Sequence, residues 1–361
     1  MLPLLALALV LTVAMWTGCG NERMETVSGP DLANPSLEFT VDHPSMRTVM
    51  EVQDRHTPEL FQVDGVVGTA TTLNEAGEPV IVVYLAKALP NGIISDSFDG
   101  VPVVTEVTGV FRAMKTVTSS HTAKQTPPIQ LGTSGGWRYD LANGYCCGGT
   151  LGSLVLKNGT QYVMSNYHVL EADIVAGGNS RVAVAGDPVV QPGLIDVGCV
   201  ATSAQNVATL SGIKSLPGSN VDVAIAAVVP GMVRTDGAIL EVGTISSQTV
   251  AAFVGQLVKK SGRTTGLTRS KVSGLNATVS ITYENECAGG TAFTKSFTGQ
   301  IVIANSRSKF LAGGDSGSLL VEDITTSPRA IGLLFAGSTT TAIANPISSV
   351  LSYLGATMVG N

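Results

Sequence analysis

The hydrophobic pattern divides the 361-residue chain into unequal parts. Residues 1–16, Met1 to Trp16, carry no charge and are mostly Leu, Ala and Val. The run is short for a membrane span and sits at the start of the sequence. It predicts a signal-peptide core, with 1–18 as an export signal. Residues 19–44 are polar and Pro-containing and are expected to form a tether. From Ser45 to Gln62, Met46, Val49, Met50 and Leu60 stand among charges in a weak helix pattern. Val63–Thr71, Pro79–Leu85 and Val101–Val110 read as strands, separated by Gly- or Pro-containing turns. Residues 45–114 therefore predict a small α+β module.

Residues 115–139 hold Ser119, Ser120, Pro127, Pro128, Gly135 and Gly136 and predict a linker or extended arm. Beyond them, from 140 to 361, short β-rich runs recur between Gly, Asn and Ser. They are Thr150–Leu156, Gln161–Ser165, Val221–Val228, Val272–Tyr283, Phe297–Ala304, Ser318–Glu322, Ala330–Phe335 and Thr341–Ile347. This spacing predicts a mainly β barrel or sandwich system. Pro346–Leu354 is apolar at helical spacing and predicts a short closing helix.

Composition narrows the classes. Charged residues are 13% of the chain and glycine is 41 of 361, a balance that excludes long coiled coils and argues against disorder. The net charge of −6, with no basic run, lacks the electrostatic footprint of a nucleic-acid binder. Thr17-Gly18-Cys19 after the apolar run resembles a bacterial lipobox, which makes Cys19 a lipidation candidate. The expected location is outside the cytoplasm, as a cell-envelope lipoprotein or a secreted protein, with the membrane touched only through that anchor. Cys146, Cys147, Cys199 and Cys287 remain. An oxidising compartment allows Cys199–Cys287 or a pair using one of the adjacent doublet. No Cys/His spacing or HExxH suggests a metal, and no cofactor is implied.

The sharpest local signal is Gly313-Gly314-Asp315-Ser316-Gly317-Ser318-Leu319-Leu320. Glycines around a serine let the backbone turn tightly and expose the hydroxyl. A serine nucleophile needs a base. Of the four histidines, only His168 lies inside the β-rich region. The base needs an orienting carboxylate. Asp222 is a lone acid among Val221, Val223, Ala224 and Ile225, a costly place for a carboxylate without partners. Asp187 and Asp196 are the alternative acids.

The order His168, Asp222, Ser316 resembles that of the chymotrypsin-like serine proteases, and the local segments agree. Cys147-Gly148-Gly149-Thr150-Leu151 resembles the family's strand before the histidine. Ser165–Val169 resembles its TAxHC segment, Asp222–Ala226 its DIAL-type segment, and Gly314–Leu319 its GDSGSP-type segment. Lys260-Ser261-Gly262-Arg263-Thr264-Thr265-Gly266 resembles the RSGxTTG stretch of bacterial streptogrisin-like members. The resemblance implies a double six-stranded antiparallel β-barrel with its site in the cleft, preceded here by the α+β module. It implies Ser316 as nucleophile, His168 as general base and Asp222 as its orienter. The backbone N–H groups of Gly314 and Ser316 would form the oxyanion hole. Phe310, with Phe335 and Gly337 on the wall strand, would line the substrate pocket, favouring small or hydrophobic side chains. The implied substrate is a peptide or protein. The Lys260–Gly266 turn is expected only as a wall or loop of the second barrel.

Three departures accompany the resemblance. Val169 follows His168 where vertebrate members have cysteine, no Ile-Val-Gly-Gly activation start is present, and Asp315 has no evident cation. An α/β-hydrolase order fails because no histidine follows Ser316. A subtilisin-like order would need an acid such as Asp140 and lacks motifs. Ser306–Lys309 matches SxxK, but in the wrong order relative to Lys260-Ser261-Gly262. A Cys146 or Cys147 thiol with His168 is a further alternative. Outside the enzyme class, the protease fold could serve one self-cleavage or binding without turnover. The 45–114 module, placed before the β-rich region, is expected to inhibit it intramolecularly or to aid its folding, with a partner-binding domain as the alternative.

Overall fold

Helix α1 (Pro44–Leu60) begins on a proline, where the missing N–H costs no helical hydrogen bond. The structure is a computed structural model that describes residues 39–112, 120–142, 145–171, 183–283 and 293–361. Met46, Val49, Met50, Gln53, Thr57 and Leu60 form the buried face of α1. That face packs on β1 (Val66–Leu73) and β2 (Pro79–Leu85), an antiparallel pair, with β3 (Val101–Val107) parallel to β2. Gln53 lies fully buried between helix and sheet. Its amide donates to the Asn276 carbonyl (2.9 Å) and to Thr69 Oγ1 (3.2 Å), and its oxygen accepts from Thr71 Oγ1 (2.8 Å). A buried amide so paired is not a liability.

The first barrel consists of β4 (Thr133–Trp137), β5 (Gly149–Leu151), β6 (Ser153–Lys157), β7 (Thr160–Ser165), β8 (Pro188–Gln191), β9 (Gln205–Leu210) and β10 (Ala224–Val228). β5 and β6 are one strand interrupted at Gly152, where the Gly317 carbonyl leaves no room for a Cβ. With that strand counted once, the order β4, β5/β6, β7, β10, β9, β8 closes on β4 as six strands. A short helix, α2 (Tyr167–Leu170), follows β7 directly.

The second barrel consists of β11 (Leu257–Gly262), β12 (Gly266–Tyr283), β13 (Phe293–Ala304), β14 (Leu319–Glu322), β15 (Ala330–Gly337) and β16 (Thr341–Pro346). Its order β11, β14, β15, β16, β13, β12 closes through β11–β12 pairing. The fold is thus mainly β, a double six-stranded barrel of the chymotrypsin-like kind. Helix α3 (Ile347–Leu354) follows, and β17 (Thr357–Met358) pairs with β6 and returns the chain to the first barrel.

β12 is longer than the barrel needs. Its first part closes on β11, while its distal part carries β1 antiparallel, with Gly68 opposite Val279. The sheet of residues 66–107 is therefore continuous with that of the second barrel. Along the distal part, Leu275, Ala277, Val279, Ile281 and Tyr283 are buried in alternation, the inward face of the strand.

Two sequence expectations change. Residues 133–137, expected within a linker, are the fully buried strand β4. Gly135 and Gly136 are there because neighbouring chain crowds them: a Cβ on Gly135 would collide with the Leu151 side chain, and one on Gly136 would lie 3.3 Å from Gly148 Cα. Asp222 precedes β10 rather than sitting within it. The predicted signal, Cys19 and Cys287 lie outside the described residues, as does the tether up to residue 38; the tether's last residues are described, with Thr40 bridged antiparallel to Phe253 and Pro44 opening α1.

Candidate active site

β7 ends at Ser165, and α2 starts two residues later, which places His168 on the first turn after a rigid strand. Asp222 arrives from the loop before β10, the neighbour of β7 in the sheet. His168 Nδ1 donates to Asp222 Oδ2 at 2.6 Å. A carboxylate only accepts, so Nδ1 carries the proton and Nε2 is left as the acceptor. Asp222 is completely buried. Its Oδ1 accepts from the N–H groups of Tyr167 (2.8 Å) and His168 (3.4 Å). Its own N–H donates to Asn345 Oδ1 (2.9 Å), and its carbonyl accepts from Asn166 Nδ2 (2.7 Å). A lone acid in an apolar stretch is tolerated because each polar atom is answered.

Asp187 and Asp196 are not orienting acids. Asp187 accepts from Trp137 Nε1 at 3.0 Å, and Asp196 is bidentate with Arg263 and accepts from Ser134 Oγ. Their hydrogen bonds go to these groups, and the imidazole's Nδ1 goes to Asp222 instead. Cys146 is no thiol nucleophile either: it is bonded to Cys199, so Cys199 is not paired with Cys287. Cys147 is also disulfide-bonded.

Ser316 sits on a turn that the second barrel presents to the first. The Ser316 carbonyl accepts from Thr150 N (2.9 Å), and the Gly314 carbonyl accepts from Thr150 Oγ1 (2.9 Å). Gly149 is wedged there: a Cβ on it would lie 2.6 Å from Val169 Cγ2 and 3.0 Å from the Ser316 carbonyl. One glycine's width thus separates the residue after His168 from the residue that carries the hydroxyl. Gly314 and Gly317 both have positive φ, +92° and +94°. A side chain at Gly314 would meet Thr264 Oγ1 at 2.5 Å, and one at Gly317 would collide with Ser165 Oγ and the Thr150 carbonyl. Only glycine fits either place. Among the described residues, the N–H groups of Gly314 and Ser316 take no hydrogen-bond partner.

The serine–histidine hydrogen bond is not formed. Ser316 Oγ reaches the Phe335 carbonyl at 3.5 Å, and His168 Nε2 is buried without a partner among the described residues. Such bonds are often long in ligand-free sites and tighten around a substrate.

Two features escaped the sequence reading. The first is the holder of Asp315. Its carboxylate accepts from the N–H groups of Thr264 (2.8 Å), Thr265 (3.1 Å) and Ala312 (3.0 Å) and from Thr265 Oγ1 (2.7 Å). Lys260 Nζ pairs with it at 3.1 Å, both side chains being fully buried. The Lys260–Gly266 turn, expected as a plain loop, is the clamp on the residue beside Ser316. Burial holds the Lys260 ammonium below its ordinary range, and Asp315 opposes that effect. The second feature is Tyr283, whose hydroxyl donates to Asp222 Oδ2 at 2.9 Å.

The pocket expectations are placed as follows. Phe335 is buried on β15 and packs against Phe297, the rings tilted by 58° with centroids 4.9 Å apart. Phe310 lies in an apolar core with Leu311, Leu320 and Leu334, its ring being about as buried as theirs. An aromatic ring six residues before Ser316 gains more from that core than from a wet pocket floor. Gly337 is paired along its edge by the chain's own Arg112: Arg112 N donates to the Gly337 carbonyl (3.0 Å), and Gly337 N donates to the Arg112 carbonyl (2.9 Å).

A family model described as the Nal1 C-terminal domain matches residues 218–345, a span that includes Asp222 and Ser316 but not His168. No curated protein matches the chain. Among solved structures, Thermobifida fusca Protease A is similar at TM-score 0.41 and 20% identity, over 64% of this chain and 99% of that one. Nocardiopsis protease is similar at 0.40 and 17%, over 62% and 97%. Cellulomonas bogoriensis chymotrypsin is similar at 0.35 and 21%, over 59% and 91%. These likenesses are distant, and the double-barrel assignment rests on the strand order above.

Proposed function

We propose that the chain is an exported serine endopeptidase. Ser316 Oγ attacks the scissile carbonyl and passes its proton to His168 Nε2. The imidazolium returns that proton to the leaving amine, and water then repeats the sequence on the acyl-enzyme. Asp222 fixes the imidazole tautomer. The N–H groups of Gly314 and Ser316 receive the oxyanion, each such donor being worth about 10²–10³ in rate. The observation that carries this reading is the 2.6 Å His168–Asp222 hydrogen bond, in a barrel where Gly149 fits between Val169, the residue after His168, and the Ser316 carbonyl. The Cys146–Cys199 bond supports an oxidising compartment. The apolar residues of β15 support a preference for small or hydrophobic side chains in the substrate. Incubation of residues 20–361 with a peptide library tests the reading: turnover by wild type that is lost in Ser316→Ala upholds it, and equal turnover in both refutes it.

The Arg112–Gly337 pairing favours intramolecular inhibition by the N-terminal module. Peptides add to a free sheet edge by backbone hydrogen bonds. The edge of β15, two residues past the carbonyl that Ser316 Oγ reaches, is already taken. The other reading, a single self-cleavage or binding without turnover, is favoured by the same contact and separated from the first by the library result.

A further inference from the structure

We infer that Tyr283 is a positioning residue that docks the His168–Asp222 pair of the first barrel onto the Ser316-bearing wall of the second; this rests on the proposed hydrolase reading. Asp222 has two oxygens with distinct holders. Oδ1 is fixed by the backbone of its own barrel, through Tyr167 and His168 N–H. Oδ2 is shared by two donors, His168 Nδ1 at 2.6 Å and Tyr283 Oη at 2.9 Å. Tyr283 is thus the donor that comes from the other barrel, 61 residues along the chain.

The tyrosine does more than donate. Its ring stands edge-on to the imidazole, centroids 5.7 Å apart and planes at 62°. It also meets Phe297 (6.4 Å), and Phe297 meets Phe335 (4.9 Å). Phe335 supplies the carbonyl that Ser316 Oγ reaches. A chain of three packed rings therefore runs from the acid and imidazole to the hydroxyl. The backbone beneath it is also held, since Thr282 N donates to the Phe111 carbonyl at 3.2 Å. A carboxylate with all its acceptor directions used cannot rotate, and a ring packed against an edge cannot swing. Without the phenol, Oδ2 keeps the imidazole alone and its negative charge is less shared. The remaining Nδ1–H bond strengthens while the imidazole loses a fixed bearing.

The test uses the full chain and Tyr283→Phe, which keeps the ring and removes the hydroxyl. The second-order rate of fluorophosphonate labelling is measured beside the ¹H resonance of His168 Nδ1–H, assigned by its absence in His168→Ala. The expected result is labelling slowed about 10-fold or more, the scale of one hydrogen bond to a charged group. The Nδ1–H resonance moves downfield. An unchanged rate overturns the inference. A slower rate with an unmoved proton overturns it too, because lost packing alone would then suffice. If neither the wild type nor Arg112→Pro labels, the hydrolase reading fails and the proton decides the positioning by itself: moved upholds it, unmoved overturns it.

Discussion

Lys260→Met isolates the clamp on the nucleophile turn. Lys260 and Asp315 are both fully buried, with Nζ and Oδ2 3.1 Å apart. At an effective dielectric of about 20, unit charges at that distance attract by about 5 kcal/mol. Desolvation of both ions offsets much of this, and it is the largest influence on Lys260. The pair therefore contributes little against an apolar substitute, but breaking it leaves Asp315 buried and uncompensated, at about 3–5 kcal/mol. Four other donors still hold the carboxylate, which places the expected loss at the lower end, about 3 kcal/mol. For a unit of this size that is a fall in Tm of somewhat under 10 °C. Denaturant unfolding of wild type, Lys260→Met, Asp315→Asn and the double variant measures it. The double variant is expected to recover at least half of the summed single losses, because the two residues share one interaction. A single loss under about 1 kcal/mol, or strict additivity, would refute the clamp.

Three further outcomes follow. Arg112→Pro removes the N–H given to Gly337 and with it about 1 kcal/mol of edge pairing, so KM for a peptide substrate should fall about 5-fold at unchanged kcat; an unchanged or higher KM would count against inhibition by the module. Glu171 is buried with both oxygens unpartnered among the described residues, and burial raises its carboxyl from 4.5 to about 7. The unfolded chain then loses this proton first, so stability falls as pH rises from about 4.5 to about 7 and this effect saturates above that. Glu171→Gln should stabilise the protein by about 1–3 kcal/mol at pH 8 and by nothing below pH 4; a gain that is the same at both pH values would contradict it.

Much of the candidate site was legible in the sequence because its residues sit in contiguous segments. His168, Asp222 and Ser316 each lie in a local pattern, and their order in the chain does the rest. The α1 face was readable from Met46, Val49 and Met50 because helical spacing is local. What was not legible depends on contacts between distant segments. Nothing near Tyr283 announces Asp222; the one signal is that a tyrosine at an inward position of an alternating strand needs a partner for its hydroxyl. Asp315 visibly lacked a cation, but Lys260 could be matched to it only once the β11–β12 turn was folded against the nucleophile turn. Gly135 and Gly136 suggested a linker because close packing and flexibility use the same residue. Phe310 illustrates a third limit: spacing from Ser316 fixes where the backbone lies, not whether the ring turns to a cavity or to the core.

The central claim is that Ser316 is an activated nucleophile with His168 as its base. The direct measurement is covalent labelling of residues 20–361 by a fluorophosphonate, with the modified residue located by peptide mass spectrometry. The account predicts one adduct, on Ser316 in the wild type, and none in Ser316→Ala or His168→Ala. A folded wild type that stays unlabelled even with Arg112→Pro, or an adduct on another residue, would contradict it.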